Sequence, residues 1–157
     1  MLAITVEGDS LAWQMQPALE RRLPIESYEA IIGLDIEAGI SRVLARRVEG
    51  KIVLVSLGTN DVLRTDLPPL TRRRVERQVR RLTRVAKCVV WSQVRITRPG
   101  YANRQRIVNS GLKHSPKLHL VNPPSPDFGD GVHFSSRHAR ILAGRFARAT
   151  RGGCGRR

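Results

Sequence analysis

Short apolar runs and stretches of helical periodicity alternate along the whole chain. Strand-like runs fall at 2–6, 28–32, 52–57, 89–94 and 118–121, each of a length that suits a strand buried on both faces. Helical patterns are predicted between them, at 11–22, 40–48, 71–86 and 101–113, with a last one at 136–150. The third is the clearest, because Val75, Val79, Leu82 and Ala86 recur on one face while arginines fill the other. In the last, Ala139, Leu142, Ala143, Phe146 and Ala147 share a side, and Ser135 or Ser136 is its N-cap.

Five strands alternating with five helices predict an α/β chain whose parallel sheet is covered on both sides. Right-handed crossovers then favour a three-layer α/β/α sandwich with a flavodoxin-like five-stranded parallel sheet. Residues 1–150 are expected as one domain, followed by a basic Gly/Arg tail at 151–157 expected to be disordered.

Composition changes this picture little. At 157 residues and 41% hydrophobic content the chain can bury a real core. No apolar run is long enough to span a bilayer, and the N-terminus, with Glu7 and Asp9 in its first stretch, reads as a strand and not as a signal peptide. A cytoplasmic location is therefore expected. Cys88 opens an apolar stretch and is expected as a buried thiol; Cys154 lies in the terminal segment. A disulfide between them is one option but has no multi-cysteine framework behind it, and neither has metal-ligand spacing.

Charge is the outlier, with 28 Lys and Arg against 13 Asp and Glu, a net +15. The arginines are scattered over several helices and not gathered into one tract with interleaved aromatics, which make up only 4% of the chain. They read first as solvated helix faces, with weak non-specific nucleic-acid binding expected only at low salt.

Ligands of open parallel sheets bind beyond the C-terminal ends of the strands. Three polar segments belong there. Gly8-Asp9-Ser10-Leu11 follows the first strand, Gly58-Thr59-Asn60-Asp61 follows the third, and Asp130-Gly131-Val132-His133 precedes the last helix. A serine at a strand–helix junction has an exposed hydroxyl, though it can also simply cap the helix. His133 would be its base, and Asp130 would hold the imidazole in the right tautomer. Asn60 offers a neutral donor to a developing oxyanion, and Gly39, before the second helix, offers a backbone N–H.

These blocks, in this order, resemble the SGNH hydrolase superfamily (GDSL-type esterases and lipases). Gly8 to Leu11 matches its first block, Gly39 its second better than Gly33, Gly58 to Asp61 its third, and Asp130 to His133 its fifth. The resemblance implies ester hydrolysis through an acyl-serine, with Ser10, His133 and Asp130 as triad. Ser10, Gly39 and Asn60 would form the oxyanion hole, and no metal or organic cofactor is implied.

The chain is short for that family, so a short acyl group such as acetyl, on a carbohydrate or small alcohol, is the expected substrate. Trp13, Arg64, Arg98 and Tyr101 are candidate substrate contacts by position, with Trp13 expected in the core ahead of a role as substrate platform. Two alternatives remain open: an acyltransferase on the same triad, and a basic nucleic-acid-binding module with a vestigial esterase site.

Overall fold

The computed structural model describes residues 3–113 and 115–155. Position 2 of the first predicted strand, His114 and the last two arginines lie outside them. The strands are β1 (Ile4–Gly8), β2 (Ile25–Ala30), β3 (Ile52–Ser56), β4 (Cys88–Ser92) and β5 (Leu118–Val121). All pair in parallel, in the order β2-β1-β3-β4-β5. Of the six α-helices among the described residues, α1 (Ser10–Glu20), α4 (Arg72–Val85), α5 (Ala102–Gly111) and α6 (Ser136–Ala149) lie where periodicity predicts them, while α2 (Ile36–Ala45) overlaps its predicted range but starts earlier. The short α3 (Thr59–Leu63) is not foreshadowed by any periodic pattern.

Alternation along the strands builds two cores. Ile4, Val6, Ile52, Leu54, Cys88 and Val90 face one side, where α1 and α6 contribute Met15, Leu19, Leu142 and Phe146. Val53, Val55, Val89 and Trp91 face the other, against Ile40, Val43, Val79, Leu82 and Val108 from α2, α4 and α5. Strands buried on both faces carry no polar alternation, so they read as continuous apolar runs. Glu7 is the one charged residue buried within these strands among the described residues. It lies on the α2 side of β1, fully buried, and its carboxylate pairs with Arg46 just past α2.

The helix starts are set by short polar side chains. Asp9, Asp35, Thr71 and Ser135 accept hydrogen bonds from N–H groups of the first turns of α1, α2, α4 and α6. Of the two serines offered by the sequence, Ser135 is thus the cap of α6.

Two expectations fail at the chain's end and near its start. The tail is not loose through its first residues: Thr150–Cys154 continues α6 as a π-helical turn, and Thr150 and Cys154 are buried. The reason is covalent, a disulfide from Cys154 to Cys88 at the start of β4. Trp13 is not in the core either; it is 62% exposed, because α1 buries Leu11, Ala12, Met15 and Leu19 on the opposite face. No helix among the described residues is long and apolar enough to cross a membrane.

Candidate active site

The C-terminal edge of the sheet brings together the three polar segments. Ser10 opens α1 directly after β1, with Asp9 as the cap whose carboxylate accepts from the Leu11 N–H at 3.0 Å. Ser10 Oγ lies 3.0 Å from His133 Nε2, across 123 positions of sequence. On the far side of the ring, His133 Nδ1 lies 2.5 Å from Asp130 Oδ2. With its proton on Nδ1 the imidazole donates to Asp130 and accepts from the Ser10 hydroxyl.

Asp130 is held by more than the ring. Its Oδ1 accepts from the N–H groups of Val132 and His133, at 2.9 and 3.0 Å. Partial burial pushes this carboxyl up, but the imidazole and the two N–H groups outweigh it and hold it at about 2. The loop is anchored in turn, since the Thr97 N–H donates to the Gly131 carbonyl at 2.9 Å.

A residue that no sequence motif singles out fixes the backbone next to His133. Gln14, one turn along α1 from Ser10, donates to the Phe134 carbonyl at 3.1 Å and accepts from the Phe134 N–H at 3.2 Å. Nothing in the local sequence marks this glutamine except its spacing of four from Ser10, which puts both on one helix face.

The donors for a developing negative charge are only partly those expected. Asn60 sits in α3, entered through Gly58 at φ +119°, a backbone conformation that suits glycine. Its Nδ2 donates to the Leu34 carbonyl at 3.0 Å and lies 3.4 Å from Asp9 Oδ2. Gly39 does not take part. It lies inside α2, where its N–H donates to the Asp35 carbonyl at 3.0 Å and a Cβ would collide with Leu57. α2 begins four residues before its predicted start because Asp35 caps it, and that draws Gly39 into the helix. Gly33 lies instead in the β2–α2 loop at φ +82°, next to the Leu34 carbonyl that Asn60 holds.

Two neighbouring carboxyls are perturbed by burial. Asp9 is raised to about 7, against the pull of the Leu11 N–H. Asp61 is raised to about 6, against the Ile36 N–H that it accepts at 2.9 Å. Through these bonds Asp9 braces the start of α1 and Asp61 the start of α2.

The candidate substrate residues are spread around this edge. Arg64 is paired with Asp66 at 2.6 Å and donates to the Gly33 carbonyl at 3.3 Å, so its guanidinium already braces the β2–α2 loop. Arg98 lies beside Gly131, its guanidinium 5.8 Å from the centre of the Tyr101 ring. Besides Trp13, the exposed large apolar side chains among the described residues are Ile31 and Ile32 after β2, and Phe128 just before Asp130. A cavity of about 310 Å³ between α2, α4 and the segment 67–70 is lined by Asp35, Ile36, Asp61 and Arg74 among others, but by none of the triad.

No family model matches the sequence, and no curated protein does. Solved structures do match. The C-terminal catalytic domain of Streptococcus pneumoniae peptidoglycan O-acetyltransferase A superposes with a TM-score of 0.76 at 16% identity, over 97% of this chain and 93% of that one. Est24, a carbohydrate acetylesterase from Sinorhizobium meliloti, gives 0.75 at 17% identity over 97% and 99%. The M. smegmatis aryl esterase gives 0.73 at 16% over 98% and 100%. The α/β/α architecture of this chain is the one these solved structures share. At such identities the likeness carries architecture, and the chemistry rests on the side chains.

Proposed function

We propose that this chain, built on the SGNH hydrolase fold, is a serine esterase for short acyl esters of a carbohydrate or small alcohol. The observation that carries the reading is the 3.0 Å contact between Ser10 Oγ and His133 Nε2, with Asp130 2.5 Å behind the ring.

In this reading Ser10 Oγ attacks the ester carbonyl while its proton passes to His133 Nε2. Asp130 stays ionised and stabilises the imidazolium. The negative charge on the former carbonyl oxygen is met by the Ser10 N–H, the Gly33 N–H and Asn60 Nδ2, with Gly33 in place of the Gly39 expected from sequence. Collapse breaks the bond to the alcohol, which leaves with the proton from His133. Water then attacks the acyl-serine by the same steps in reverse and releases the carboxylic acid and free Ser10.

The acyl preference follows from the surroundings of the serine. The exposed large apolar side chains among the described residues are Trp13, just after Ser10, Ile31 and Ile32, just before Gly33, and Phe128, just before Asp130, and in this reading they would form the rim of the site. Such a rim offers contact area to a small or flat group but no enclosed channel for a long chain.

The test is a series of p-nitrophenyl esters of increasing acyl length, together with acetylated sugars, assayed with wild type and Ser10→Ala. Turnover highest for acetyl or propionyl and abolished in Ser10→Ala supports the reading. Equal turnover by both proteins overturns it. Adding a primary alcohol separates hydrolysis from acyl transfer, since a transferase yields the new ester at the expense of free acid.

A further inference from the structure

At the opposite end of the sheet from Ser10, both cysteines of the chain meet a histidine. Cys88 begins β4, His119 lies on the neighbouring β5, and Cys154 ends the π-helical turn after α6. Their candidate ligand atoms all lie within 4.8 Å of one another, with both cysteines buried and the histidine half-buried. The backbone makes room for this. A Cβ at Gly153 would fall 2.7 Å from His119 Nδ1 and Cε1, so only glycine lets the chain pass so close to the ring. A cavity of about 220 Å³ opens onto the three residues and is bounded by Lys87, Pro116 and Lys117.

We propose that Cys88, Cys154 and His119 form a Zn²⁺ site in the reduced protein, exclusive with the disulfide. A tetrahedral centre with Zn–S bonds of about 2.3 Å and Zn–N of about 2.0–2.1 Å holds its ligand atoms about 3.6–3.8 Å apart. Ligand atoms already within 4.8 Å of one another need movements on the order of 1–2 Å to reach that spacing. The cavity that the three residues line would supply a water as the fourth ligand. Two thiolates and one divalent cation sum to a neutral centre, so Lys87 and Lys117 face no net positive charge. Widely separated positions (88, 119 and 154) explain why no metal-ligand spacing is legible in the sequence.

The exchange balances with a dithiol as reductant. Two electrons and two protons pass to the S–S bond, giving two thiols while the reductant closes to its own disulfide. Zn²⁺ then displaces both thiol protons and forms two Zn–S bonds and one Zn–N bond. Either linkage ties the segment after α6 to the start of β4. The chain can therefore keep this clamp in reducing and in oxidising surroundings.

The test is Zn²⁺ titration of the full chain against a chromophoric chelator, after reduction and removal of the reductant, beside the oxidised protein. Expected are one equivalent bound by reduced wild type, release of about two protons, and none bound by the oxidised form. Co²⁺ in place of Zn²⁺ should give a thiolate-to-metal charge-transfer band. His119→Ala should weaken binding by more than about 100-fold, beyond the usual cost of losing only an outer-shell partner. Near-UV circular dichroism of each variant verifies its fold, and metal-free reduced wild type serves as reference. Reduced, folded wild type that binds no better than folded Cys154→Ser overturns the proposal. So does a His119→Ala variant with unchanged affinity. The site lies away from the triad, so this result and the esterase result are independent.

Discussion

Asn60 Nδ2 donates to the carbonyl of Leu34 at 3.0 Å, and this bond ties the start of α3 to the loop that carries Gly33. The same amide thus braces the β2–α2 loop at rest, and in the proposed reaction it would donate to the charged oxygen during turnover. Asn60→Ala should lower kcat by about 10²–10³, the usual cost of one oxyanion donor, with little change in KM. Steady-state kinetics on p-nitrophenyl acetate check this. A raised KM with kcat intact would make Asn60 a ground-state contact instead.

Asp130 is held at about 2 by the His133 ring and two backbone N–H groups, after burial has pushed the other way. Asp130→Asn keeps an oxygen for the N–H groups of Val132 and His133 but loses the charge opposite the imidazolium. A fall in kcat of about 10²–10⁴ is expected, with the fold intact. For a carboxyl held below its ordinary value, the stabilising contribution is present above about pH 4 and is lost as pH falls toward 2. Because the carboxylate is 44% exposed, that stability effect is small and activity is the better readout.

Glu7 bears on stability with the opposite sign. Burial raises it from 4.5 to about 7, against the pull of Arg46 and Arg42 and with the help of Glu29. A raised carboxyl binds its proton more tightly in the folded chain, so its contribution is full below about pH 4.5 and is lost as pH rises through 7. Asp9 and Asp61, also raised, act in the same direction. Glu7→Gln should therefore flatten the decline of Tm between pH 5 and pH 8. Differential scanning calorimetry can resolve this, since 1 kcal/mol moves Tm by about 2–4 °C at this length. A wild-type Tm that climbs over this range as steeply as the variant's would contradict the assignment.

The same burial explains what is legible in the sequence and what is not. The strands can be read because β1, β3 and β4 are buried on both faces and mostly apolar, and α4 because its arginines and valines separate so cleanly. β2 begins three residues before its predicted start because it is an edge strand, half-buried, and Ile25-Glu26-Ser27 shows no apolar run. The positions of Ser10, Asn60, Asp130 and His133 are legible as polar breaks after strands or before a helix. Gly39 is misplaced by the pattern because Asp35 caps α2 earlier than the hydrophobic positions suggest. Trp13, Gln14 and the Cys88–Cys154 link depend on which helix face turns inward and on contacts between distant segments, which periodicity alone does not supply.

Trp13 and Phe128 have a functional consequence as exposed apolar groups flanking the serine and the Asp130 loop. Trp13→Ala should raise KM for phenyl and naphthyl acetates by several-fold, leave kcat nearly unchanged, and shift stability by no more than about 0.5 kcal/mol. Paired assays with an aryl and an alkyl acetate isolate the effect. A drop in kcat with KM constant would mean that Trp13 acts by holding α1.

The central claim is that Ser10 is a nucleophile activated by His133, and covalent labelling reads this whatever the natural ester is. The wild-type chain is treated with a serine-directed fluorophosphonate, and the adduct is followed by intact mass and located by peptide mapping. Labelling at Ser10 alone is expected, absent in Ser10→Ala and slowed by at least about 10³-fold in His133→Ala. An adduct that persists in folded Ser10→Ala, or a His133→Ala variant that labels as fast as wild type, would contradict it.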